Sequence, residues 1–428
     1  MKEKPHVAIV GLWHLGCVAA AAWLKLGCRV TGLDFDADLI HSLSQGKAPL
    51  YEPDLDATLQ AGLAKKQISF SSDPSELACV EFVFLTYDTP VDDYDLSNLH
   101  ILEEALEKIS PHLTSKTILI VSSQVPVGTC KRWQKKWPYQ IVYSPENLKL
   151  GEAIANYLHP GHIVLGCDEA KTLHKVKELF SAIPATYVAM DVTSAEMTKH
   201  AINAFLASSI TFANQLADAC GFSGANFKQV TQAMKHDPRI GMKAYMKAGI
   251  GFSGGTLGRD LRILSQLNTS KGGGTFPFFQ EVWQHNRQRP KLLVYKLGRV
   301  LGHFQNKTVS FLGITYKPGT STLRRSIPLE MAQDFVRKGA TVKVYDPKAN
   351  WSEVDHLEGI VKIQNPYDLG KDSDFLLILT EWPEFKHLDF QLLGEHMRHK
   401  RLFDPYGYFF DRGPDLKTAG FQVFNHLI

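Results

Sequence analysis

The stretch Val7–Gly16 reads VAIVGLWHLG and decides the fold. An apolar run goes directly into a turn that starts at Gly11, and a helical stretch follows it. The next apolar run, RVTGLD, ends at Asp34. A short apolar run bounded by glycine is typical of a buried strand, so this order predicts a strand, a turn, a helix and a second strand that form a parallel βαβ unit.

The same alternation continues outward from this unit. Apolar runs such as FVFLTY, TILIVSS and IVYSPE alternate with helical stretches as far as about Gly166. From about Asp191 to about Arg299 long helical periodicity replaces the strand patterns, and then KTVSFLGITY, ATVKVYDP and SDFLLILTEW start a second alternating region. We predict an α/β fold with two Rossmann-like, doubly wound parallel-sheet domains at residues 1–190 and 301–428, joined by a helical domain at residues 191–300.

The composition is that of an ordinary globular protein with two or three domains. The 428 residues carry a formal net charge of +3, with 44% hydrophobic and 21% charged residues. This balance indicates no nucleic-acid partner, and no apolar run is long enough to suggest a membrane partner. The start, MKEKPHVAIVG, enters a strand at once, so we expect no signal peptide.

The six cysteines lie among apolar neighbours without a C-x-x-C pair, which favours buried thiols in a reducing cytoplasm over disulfides or a metal site.

The turn after the first strand has two of the three glycines of a dinucleotide-binding turn. Gly11 and Gly16 match the first and third positions, whereas Trp13 occupies the second, where the backbone normally approaches the pyrophosphate. Asp34 lies close to the spacing at which a carboxylate binds the adenosine ribose hydroxyls, and it would repel a 2′-phosphate. This pattern predicts NAD as the cofactor. The alternative is a structural turn with an incidental acid.

Polar residues form a stripe in the otherwise apolar helical region. In AEMTKHAINAFLA, residues Ala195–Ala207, the side chains of Glu196, Lys199 and Asn203 share one helix face. A lysine ammonium can stabilise an oxyanion or, when desolvated, accept a proton, and an amide can donate to the same oxygen. The alternative is a solvated face with an ordinary salt bridge.

A glycine-rich stretch, GIGFSGGTLGRD at Gly249–Asp260, lies further along the same region. Its glycines allow the backbone to approach a ligand closely. Asp260 could order a water molecule or accept a proton. The stripe and the glycine-rich stretch are therefore the candidate reaction centre.

Five further motifs occur in a consistent order along the chain: KAPLYEPDL at Lys47–Leu55, TPVDDYDLS at Thr89–Ser97, SSQVPVGT at Ser122–Thr129, SPENLKLGEA at Ser144–Ala153 and FLGITYKPGTSTLRRS at Phe311–Ser326. With the two central motifs they resemble the nucleotide-sugar dehydrogenases, the UDP-glucose and GDP-mannose 6-dehydrogenase family. The resemblance covers almost the whole chain. It implies an NAD-dependent oxidoreductase that acts on a CH–OH group of a nucleotide-sugar.

The resemblance also implies roles for individual residues. The catalytic set would be Lys199, Asn203, Asp260, the general base Glu146, and Thr256, which stands in the place of the family's nucleophilic cysteine. The cofactor set would be Gly11, Trp13, Gly16, Asp34, Thr89, Gln124 and Arg324. The substrate set would be Gly251, Gly254, Arg259, Lys317 and Arg239, the last of which would reach the substrate of a neighbouring subunit. We therefore expect a homodimer or a larger homo-oligomer, and we predict no metal site.

Four departures from the family's pattern raise the functional question. Leu150 replaces a second glutamate, Gln124 replaces a threonine that helps to hold the catalytic water, Arg259 replaces a lysine, and Tyr406 replaces an arginine that helps to hold the nucleotide. The fifth and most important departure is Thr256. In the family's second step a cysteine thiolate adds to the intermediate aldehyde, and a threonine hydroxyl is far less acidic and needs a strongly placed base to attack.

The first hydride transfer needs no thiol, so we predict oxidation of a UDP-sugar-type hydroxyl that stops at the two-electron step. Two alternatives remain: a non-catalytic nucleotide-sugar-binding relative, and a full 6-dehydrogenase that forms a uronate through another nucleophile. The β-hydroxyacid dehydrogenases also pair a dinucleotide domain with a helical domain that carries Lys-x-x-x-Asn. The additional α/β domain from about Thr308 disfavours them.

Overall fold

The computed structural model describes residues 5–92, 94–95, 97–146, 148, 150–267, 276–355 and 357–425. The chain forms two compact units that divide between Ile202 and Asn203. Asn147 and Lys149 of the Ser144–Ala153 motif, and Asp93 and Leu96 of the Thr89–Ser97 motif, lie outside the described residues.

The first unit contains an eight-stranded sheet. Its strands are β1 (His6–Val10), β2 (Arg29–Leu33), β3 (Ile68–Ser71), β4 (Phe82–Leu85), β5 (Ile118–Val121), β6 (Gln140–Tyr143), β7 (His162–Gly166) and β8 (Thr186–Met190). The order across the sheet is β3-β2-β1-β4-β5-β6-β7-β8. The strand order therefore reverses between β1 and β4, and ligands of doubly wound sheets bind beyond the carboxyl ends of the strands at such a point.

Helices cover the two faces of this sheet. They are α1 (His14–Lys25), α2 (Ala37–Ser44), α3 (Leu55–Ala64), α4 (His100–Ile109), α5 (Thr129–Gln134), α6 (Ala153–Leu158) and α7 (Ala170–Phe180). Ile9 of β1 packs in one apolar cluster with Trp23 of α1, and its neighbour Val10 packs in the opposite cluster with Leu106 of α4. Both faces of β1 are thus buried, which explains why the strand reads as a continuous apolar run.

One pairing of the first sheet differs from the predicted parallel arrangement. β6 and β7 pair antiparallel through Tyr143 and Gly166, whereas the other strand pairs of this sheet are parallel. The last two strands therefore run against the first six. An apolar run predicts that a strand forms but does not encode the strand's direction, so the sequence pattern alone missed the reversal.

Four helices follow β8 in the described residues: α8 (Val192–Ser223), α9 (Phe227–His236), α10 (Thr256–Gln266) and α11 (Pro277–Leu301). The described part of the chain has no strand between Met190 and Thr308, in agreement with the helical periodicity. One face of α8 is buried and includes Asn203, Ala207 and Asn214. The opposite face exposes Phe205 and Phe212.

The second unit contains a six-stranded sheet. Its strands are β9 (Thr308–Leu312), β10 (Thr341–Tyr345), β11 (Ile360–Lys362), β12 (Phe375–Ile378), β13 (Arg401–Phe403) and β14 (Gln422–Phe424), and its helices are α12 (Ile327–Arg337), α13 (Phe390–Gly394) and α14 (Gly413–Thr418). All pairings are parallel and the order is β11-β10-β9-β12-β13-β14, which is the order of a dinucleotide-binding sheet. The predicted fold class is confirmed, while the domain limits at 190/191 and 300/301 stay predictions.

The cysteines follow the sequence prediction with one exception. All six are free thiols, and five are buried, but Cys79 is exposed. Cys79 lies just after a short 3-10 turn, Pro74–Leu77, where local apolar neighbours do not guarantee burial. Within the described ranges, every helix is too short or too polar to pass through a bilayer.

Candidate active site

The turn between β1 and α1 has the close backbone contact of a dinucleotide-binding turn. A Cβ atom on Gly16 would lie 1.9 Å from the carbonyl oxygen of Gly11, so glycine alone fits at this contact. The Thr86 hydroxyl donates to the same carbonyl at 2.7 Å and fixes the turn against the end of β4. Two of the predicted cofactor residues therefore meet as the motif requires.

Asp34 follows β2 and retains capacity to bind a ligand. Each of its carboxylate oxygens accepts one backbone hydrogen bond, from Leu12 at 2.7 Å and from Asp36 at 3.1 Å. A carboxylate can accept about four hydrogen bonds, so Asp34 can still accept a hydrogen bond from a ribose hydroxyl. The Trp13 side chain is 42% exposed and therefore does not fill the interior beside the turn. The geometry of Gly11, Gly16 and Asp34 therefore fits the binding of NAD, and their individual roles stay predictions.

Two more predicted cofactor residues, Thr89 and Gln124, are in direct contact. The Thr89 hydroxyl donates to the backbone carbonyl of Gln124 at 2.6 Å. Thr89 follows β4 and Gln124 follows β5, so both lie beyond the carboxyl ends of neighbouring parallel strands. Next to them, the Ser123 hydroxyl donates to the Tyr87 carbonyl at 2.7 Å and links the same two strand ends.

A buried carboxylate, Glu52, links the cofactor turn to the segment that carries Glu146, and sequence reasoning did not assign it a role. It accepts from the His14 Nε2 at 3.1 Å, from the Gly151 backbone at 3.0 Å and from the Ala153 backbone at 2.8 Å. His14 is the first residue of α1. The only sequence signal was a single glutamate in the YEPDL loop, and no periodicity marks such a residue.

Glu146 and Lys199 form the second predicted group of the first unit. Lys199 is buried on α8, and its ammonium donates to the backbone carbonyl of Glu146 at 2.9 Å. Burial raises the pKa of the Glu146 carboxyl to about 8, although the Lys199 charge opposes the rise. A carboxyl with such a pKa can take up or release a proton close to neutral pH, as a general base must.

Glu196, which shares the predicted helix face, has a different partner. Its carboxylate accepts from the backbone N–H groups of Gly128 at 2.5 Å and Cys130 at 2.8 Å. Burial raises the pKa of this carboxyl, and the two backbone bonds oppose that rise. Glu196 therefore holds the start of α5 in place, so its place in the stripe does not by itself indicate chemistry.

Asn203 and Asp260 meet in the second unit. The Asn203 amide donates to the Asp260 carboxylate, and the Arg259 Nε lies 3.9 Å from the other carboxylate oxygen. All three side chains are buried, and Asp260 is 0% exposed. The Asp260 carboxylate thus lies within reach of an amide donor and a cation.

Thr256, the residue in the cysteine position, begins α10 and is exposed. Among the described residues, no side chain forms a hydrogen bond with its hydroxyl. In the described part of the chain, no base is thus hydrogen-bonded to the Thr256 hydroxyl in the way that activates a hydroxyl nucleophile. Asp260 lies one turn later on the same helix, where its carboxylate is bonded to Asn203.

The glycines before Thr256 contact the C-terminal sheet region. The Gly254 N–H donates to the Arg325 carbonyl at 2.9 Å, and the Ser253 hydroxyl accepts from the Ile327 N–H at 3.1 Å. Gly251 has φ +118°, and a Cβ atom there would lie 2.6 Å from the Asn286 amide oxygen. Both constraints exclude larger residues at position 251.

The predicted cations of the second unit are not gathered in one cluster. Lys317 is half-buried with its ammonium 5.5 Å from the Tyr316 ring, and Arg324 is exposed. Arg239 is exposed and bonded to Asp237 of its own turn at 2.7 Å. The phosphate and subunit contacts expected of these three residues stay predictions.

The loop between Lys317 and Arg324 carries Ser321 and Thr322, and the side chain of Glu353 binds it. The Glu353 carboxylate accepts from the Thr322 hydroxyl at 2.6 Å and from the Leu323 N–H at 2.9 Å. In the described residues, no group of three or more histidine, cysteine, aspartate or glutamate side chains could hold a metal ion.

Comparison with known proteins places this geometry in a family. Three domain models of the UDP-glucose/GDP-mannose dehydrogenase family match the chain: the NAD-binding domain at residues 5–184, the central domain at residues 193–288 and the UDP-binding domain at residues 310–411. The chain is 31% identical to UDP-glucose 6-dehydrogenase TuaD of Bacillus subtilis (strain 168), over 90% of this chain and 85% of that protein. The chain belongs to the UDP-glucose/GDP-mannose dehydrogenase family.

Other family members support the assignment over the full length. UDP-glucose 6-dehydrogenase of Rickettsia bellii (strain RML369-C) is 30% identical over 98% of both chains. Among solved structures, the UDP-glucose dehydrogenase of Pyrobaculum islandicum superimposes with a TM-score of 0.86 at 27% identity, over 94% of each chain. UDP-D-ManNAc dehydrogenase of Pyrococcus horikoshii, at 22% identity, has the same fold with a TM-score of 0.81 over 93% of this chain and 94% of its own.

Family membership confirms the predicted enzyme class and cofactor: the chain is an NAD-dependent oxidoreductase of the nucleotide-sugar dehydrogenase type, with the family's UDP-binding domain. The family's substrates make a nucleotide-sugar the expected ligand. The roles of individual site residues, the extent of oxidation and the oligomeric state stay predictions.

Proposed function

We propose that the chain oxidises one hydroxyl group of a UDP-type sugar nucleotide to a carbonyl and stops after this two-electron step. The carbon loses a hydride to NAD, and the hydroxyl loses its proton to a base. NAD supplies the hydride acceptor when it is bound by Gly11, Gly16, Asp34, Thr89 and Gln124. The remaining chemistry falls to side chains of this protein.

The observation that carries the proposal is a contrast within α10. Asp260 is buried and bonded to the Asn203 amide, whereas Thr256, one turn earlier, is exposed without a side-chain partner among the described residues. The first arrangement suits the removal of a proton from an alcohol or an ordered water. The second lacks the adjacent base that a threonine nucleophile needs.

The oxyanion that forms on the substrate needs stabilising charge, which Lys199 and Asn203 would supply from neighbouring turns of α8. A buried ammonium and an amide donor both stabilise developing negative charge more strongly than water does. Glu146, with its pKa of about 8, is the second candidate acceptor of the hydroxyl proton, beside Asp260. None of these roles requires a thiol.

The thiols of Cys220, Cys17 and Cys130 are poorly suited to replace the cysteine. Cys220, the one cysteine of the second unit, is buried on α8 and lies roughly 25 Å from Asn203 along the helix, at about 1.5 Å per residue. Burial raises the pKa of the Cys17 and Cys130 thiols and keeps them in the unreactive protonated form. This supports an oxidation without a thioester.

The proposal is tested by incubating the purified chain with NAD and a panel of UDP-sugars, with the sugar limiting. We expect one NADH per sugar for at least one member of the panel. Two NADH per sugar with a uronate product would establish the full 6-dehydrogenase instead. The matched control is Asp260→Asn, which keeps the size and the contact to Asn203 but removes the carboxylate.

Trp13 favours a second candidate function, a nucleotide-sugar-binding protein without catalysis. An indole stands where the backbone would otherwise approach the pyrophosphate, and Leu150 and Tyr406 alter two further family positions. Calorimetry decides between the candidates. Heat of NAD binding that saturates supports the dehydrogenase, and the absence of binding at millimolar NAD supports the binding protein.

We also propose that the chain forms a homodimer or a larger homo-oligomer. Phe205 and Phe212 lie two turns apart on one face of α8 and are 71% and 48% exposed, and Phe222 is exposed further along the helix. Exposed aromatic side chains in a row are typical of a surface that a partner covers, and a second copy of this chain is the partner we propose. The six free thiols support a reducing compartment such as the cytoplasm.

A further inference from the structure

The segment Gly249–Gly255, named here the glycine segment, directly precedes Thr256 and is held by side chains from two helices. The Gly249 N–H donates to the Asn214 amide oxygen at 2.7 Å, and the Gly249 carbonyl accepts from the Arg289 Nε at 2.7 Å. Asn214 belongs to α8 and Arg289 to α11, and both are buried. The N–H and the carbonyl of Gly249 therefore both form hydrogen bonds with side chains. A buried segment outside a sheet needs such partners for its backbone.

Asn286 holds the middle of the glycine segment in the same manner. Its amide oxygen accepts from the Phe252 N–H at 2.8 Å, and its amide nitrogen donates to the Phe252 carbonyl at 3.0 Å. This two-way bond needs both an acceptor and a donor on one short side chain, which asparagine has and aspartate lacks. It also explains the glycine at position 251, because the amide oxygen lies 2.6 Å from where its Cβ would be.

Local features of α11 indicate that Asn286 serves a purpose other than helix formation. Asparagine is a poor residue for a helix interior. Pro290 lies four residues later inside α11 and has no N–H to donate to the Asn286 carbonyl. The helix is thus weakened where its side chains reach the glycine segment.

An ion pair holds the Arg289 guanidinium in place. Its Nη1 lies 3.1 Å from Asp218 of α8, and the Lys296 ammonium lies 3.7 Å from the other oxygen of the same carboxylate. Burial lowers the pKa of Arg289, and the Asp218 charge opposes that change. The guanidinium therefore stays paired while its Nε is directed at the Gly249 carbonyl.

α8 holds both ends of this region. Asn214 binds Gly249 before the glycine segment, and Asn203 binds Asp260 after it. The two asparagines are eleven positions apart, which at 100° per residue returns to nearly the same helix face about 16 Å along the axis. A single rigid helix therefore sets the separation between the start of the glycine segment and the Asp260 carboxylate.

We propose that Asn286 and Arg289 are positioning residues, which hold the backbone of the glycine segment in the shape that receives the sugar half of the substrate. They act through the backbone of Gly249 and Phe252 and not by contact with substrate. The inference rests on the proposed function for its ligand. Its structural part, the restraint of the glycine segment, stands on the hydrogen bonds alone.

Two variants of the full chain test the proposal, Asn286→Asp and Arg289→Lys. The first is equal in size but loses the donor to the Phe252 carbonyl, and the second keeps the charge beside Asp218 but loses the Nε bond to Gly249. Gln288→Glu is the control, because it adds a negative charge at an exposed position of the same helix. Calorimetry measures the binding of UDP-glucose, UDP and NAD, and hydrogen exchange measures the amides of residues 249–255.

We expect each variant to weaken UDP-glucose binding about tenfold, the size of one lost hydrogen bond to a buried group, and to leave UDP and NAD binding within about twofold. Amide exchange in the glycine segment should accelerate, and the control should match the wild type. Unchanged exchange in both variants, or equal losses for UDP-glucose, UDP and NAD, would overturn the proposal. If the wild type binds no UDP-sugar, the proposed function fails, and the exchange result still decides whether the two residues hold the segment.

Discussion

At the scale of single residues, Thr256 and Asp260 differ in the surroundings that the proposed two-electron oxidation depends on. Asp260 is buried with Asn203 as a donor and Arg259 nearby, which suits proton transfer from an alcohol. Thr256 is exposed at the start of α10, and no described side chain forms a hydrogen bond with its hydroxyl. We therefore propose that the chain carries out one hydride transfer and forms no covalent intermediate.

Thr256→Ala should therefore keep the oxidation. Because the side chain is exposed, the free energy of unfolding should change by no more than about 0.5 kcal/mol. NADH formation should stay within about threefold of the wild type, because no covalent step is lost. Asp260→Asn is the comparison and should slow NADH formation by about 100-fold or more. A loss for Thr256→Ala as large as that for Asp260→Asn would show that the hydroxyl takes part in the reaction.

Glu146 provides a prediction that needs no substrate. The folded chain keeps the proton of this carboxyl up to about pH 8, whereas the unfolded chain releases it near the ordinary value of 4.5. The folded state thus binds more protons between these values, so the contribution of Glu146 to stability is greatest below pH 4.5 and is lost as the pH rises to about 8.

The measurement is the difference in the free energy of unfolding between the wild type and Glu146→Gln, followed by urea denaturation from pH 5 to pH 9. Glutamine cannot ionise, so the variant lacks this pH dependence. The stability of the wild type relative to the variant should fall as the pH rises. A difference that is constant or increases with pH would contradict the raised pKa.

At the scale of elements, the first unit links its cofactor turn to the Glu146 segment through one carboxylate. Glu52 accepts from His14 at the start of α1 and from the backbone of Gly151 and Ala153 before and at the start of α6. A change at Glu52 therefore affects both elements. The second unit uses side-chain amides for the same purpose, through Asn214 and Asn286.

Glu52→Gln should destabilise the chain by about 2 kcal/mol. The amide nitrogen of glutamine cannot accept a hydrogen bond, so at least one of the donors that now bind Glu52 loses its acceptor. NAD affinity should fall in parallel, because His14 begins the helix that directly follows the cofactor turn. Asp54→Asn, an exposed change in the same loop, is the control and should alter neither quantity. Calorimetry and urea unfolding measure the two effects. Normal NAD affinity in Glu52→Gln would show that the link does not reach the cofactor turn.

At the scale of the whole molecule, the sequence predicted much of the fold because both sheets are buried on two faces. Val7–Val10 and Phe82–Leu85 are uniformly buried, and such strands read as apolar runs. The sequence around β7 contains no pattern that indicates its reversed direction. Asn286 and Glu52 were also missed, since a lone polar residue in a helix or loop resembles a solvated one until tertiary contacts give it a partner.

The oligomer prediction also belongs to this scale. Light scattering after size exclusion should give a mass of at least twice the 47.9 kDa of one chain. The double variant Phe205→Glu/Phe212→Glu should shift the protein toward the monomer, because charges on that face of α8 oppose apolar contact. Leu392→Glu, at an exposed apolar position of α13, is the control. A monomeric wild type would contradict the proposal.

We propose that oxidation ends at a carbonyl, and the chemical state of the product is the decisive measurement. After complete turnover of a limiting UDP-sugar, methoxyamine is added and the nucleotide product is weighed by mass spectrometry. We expect an oxime adduct of a product two hydrogens lighter than the substrate, formed with one NADH. A uronate that does not react with methoxyamine, formed with two NADH, would contradict it.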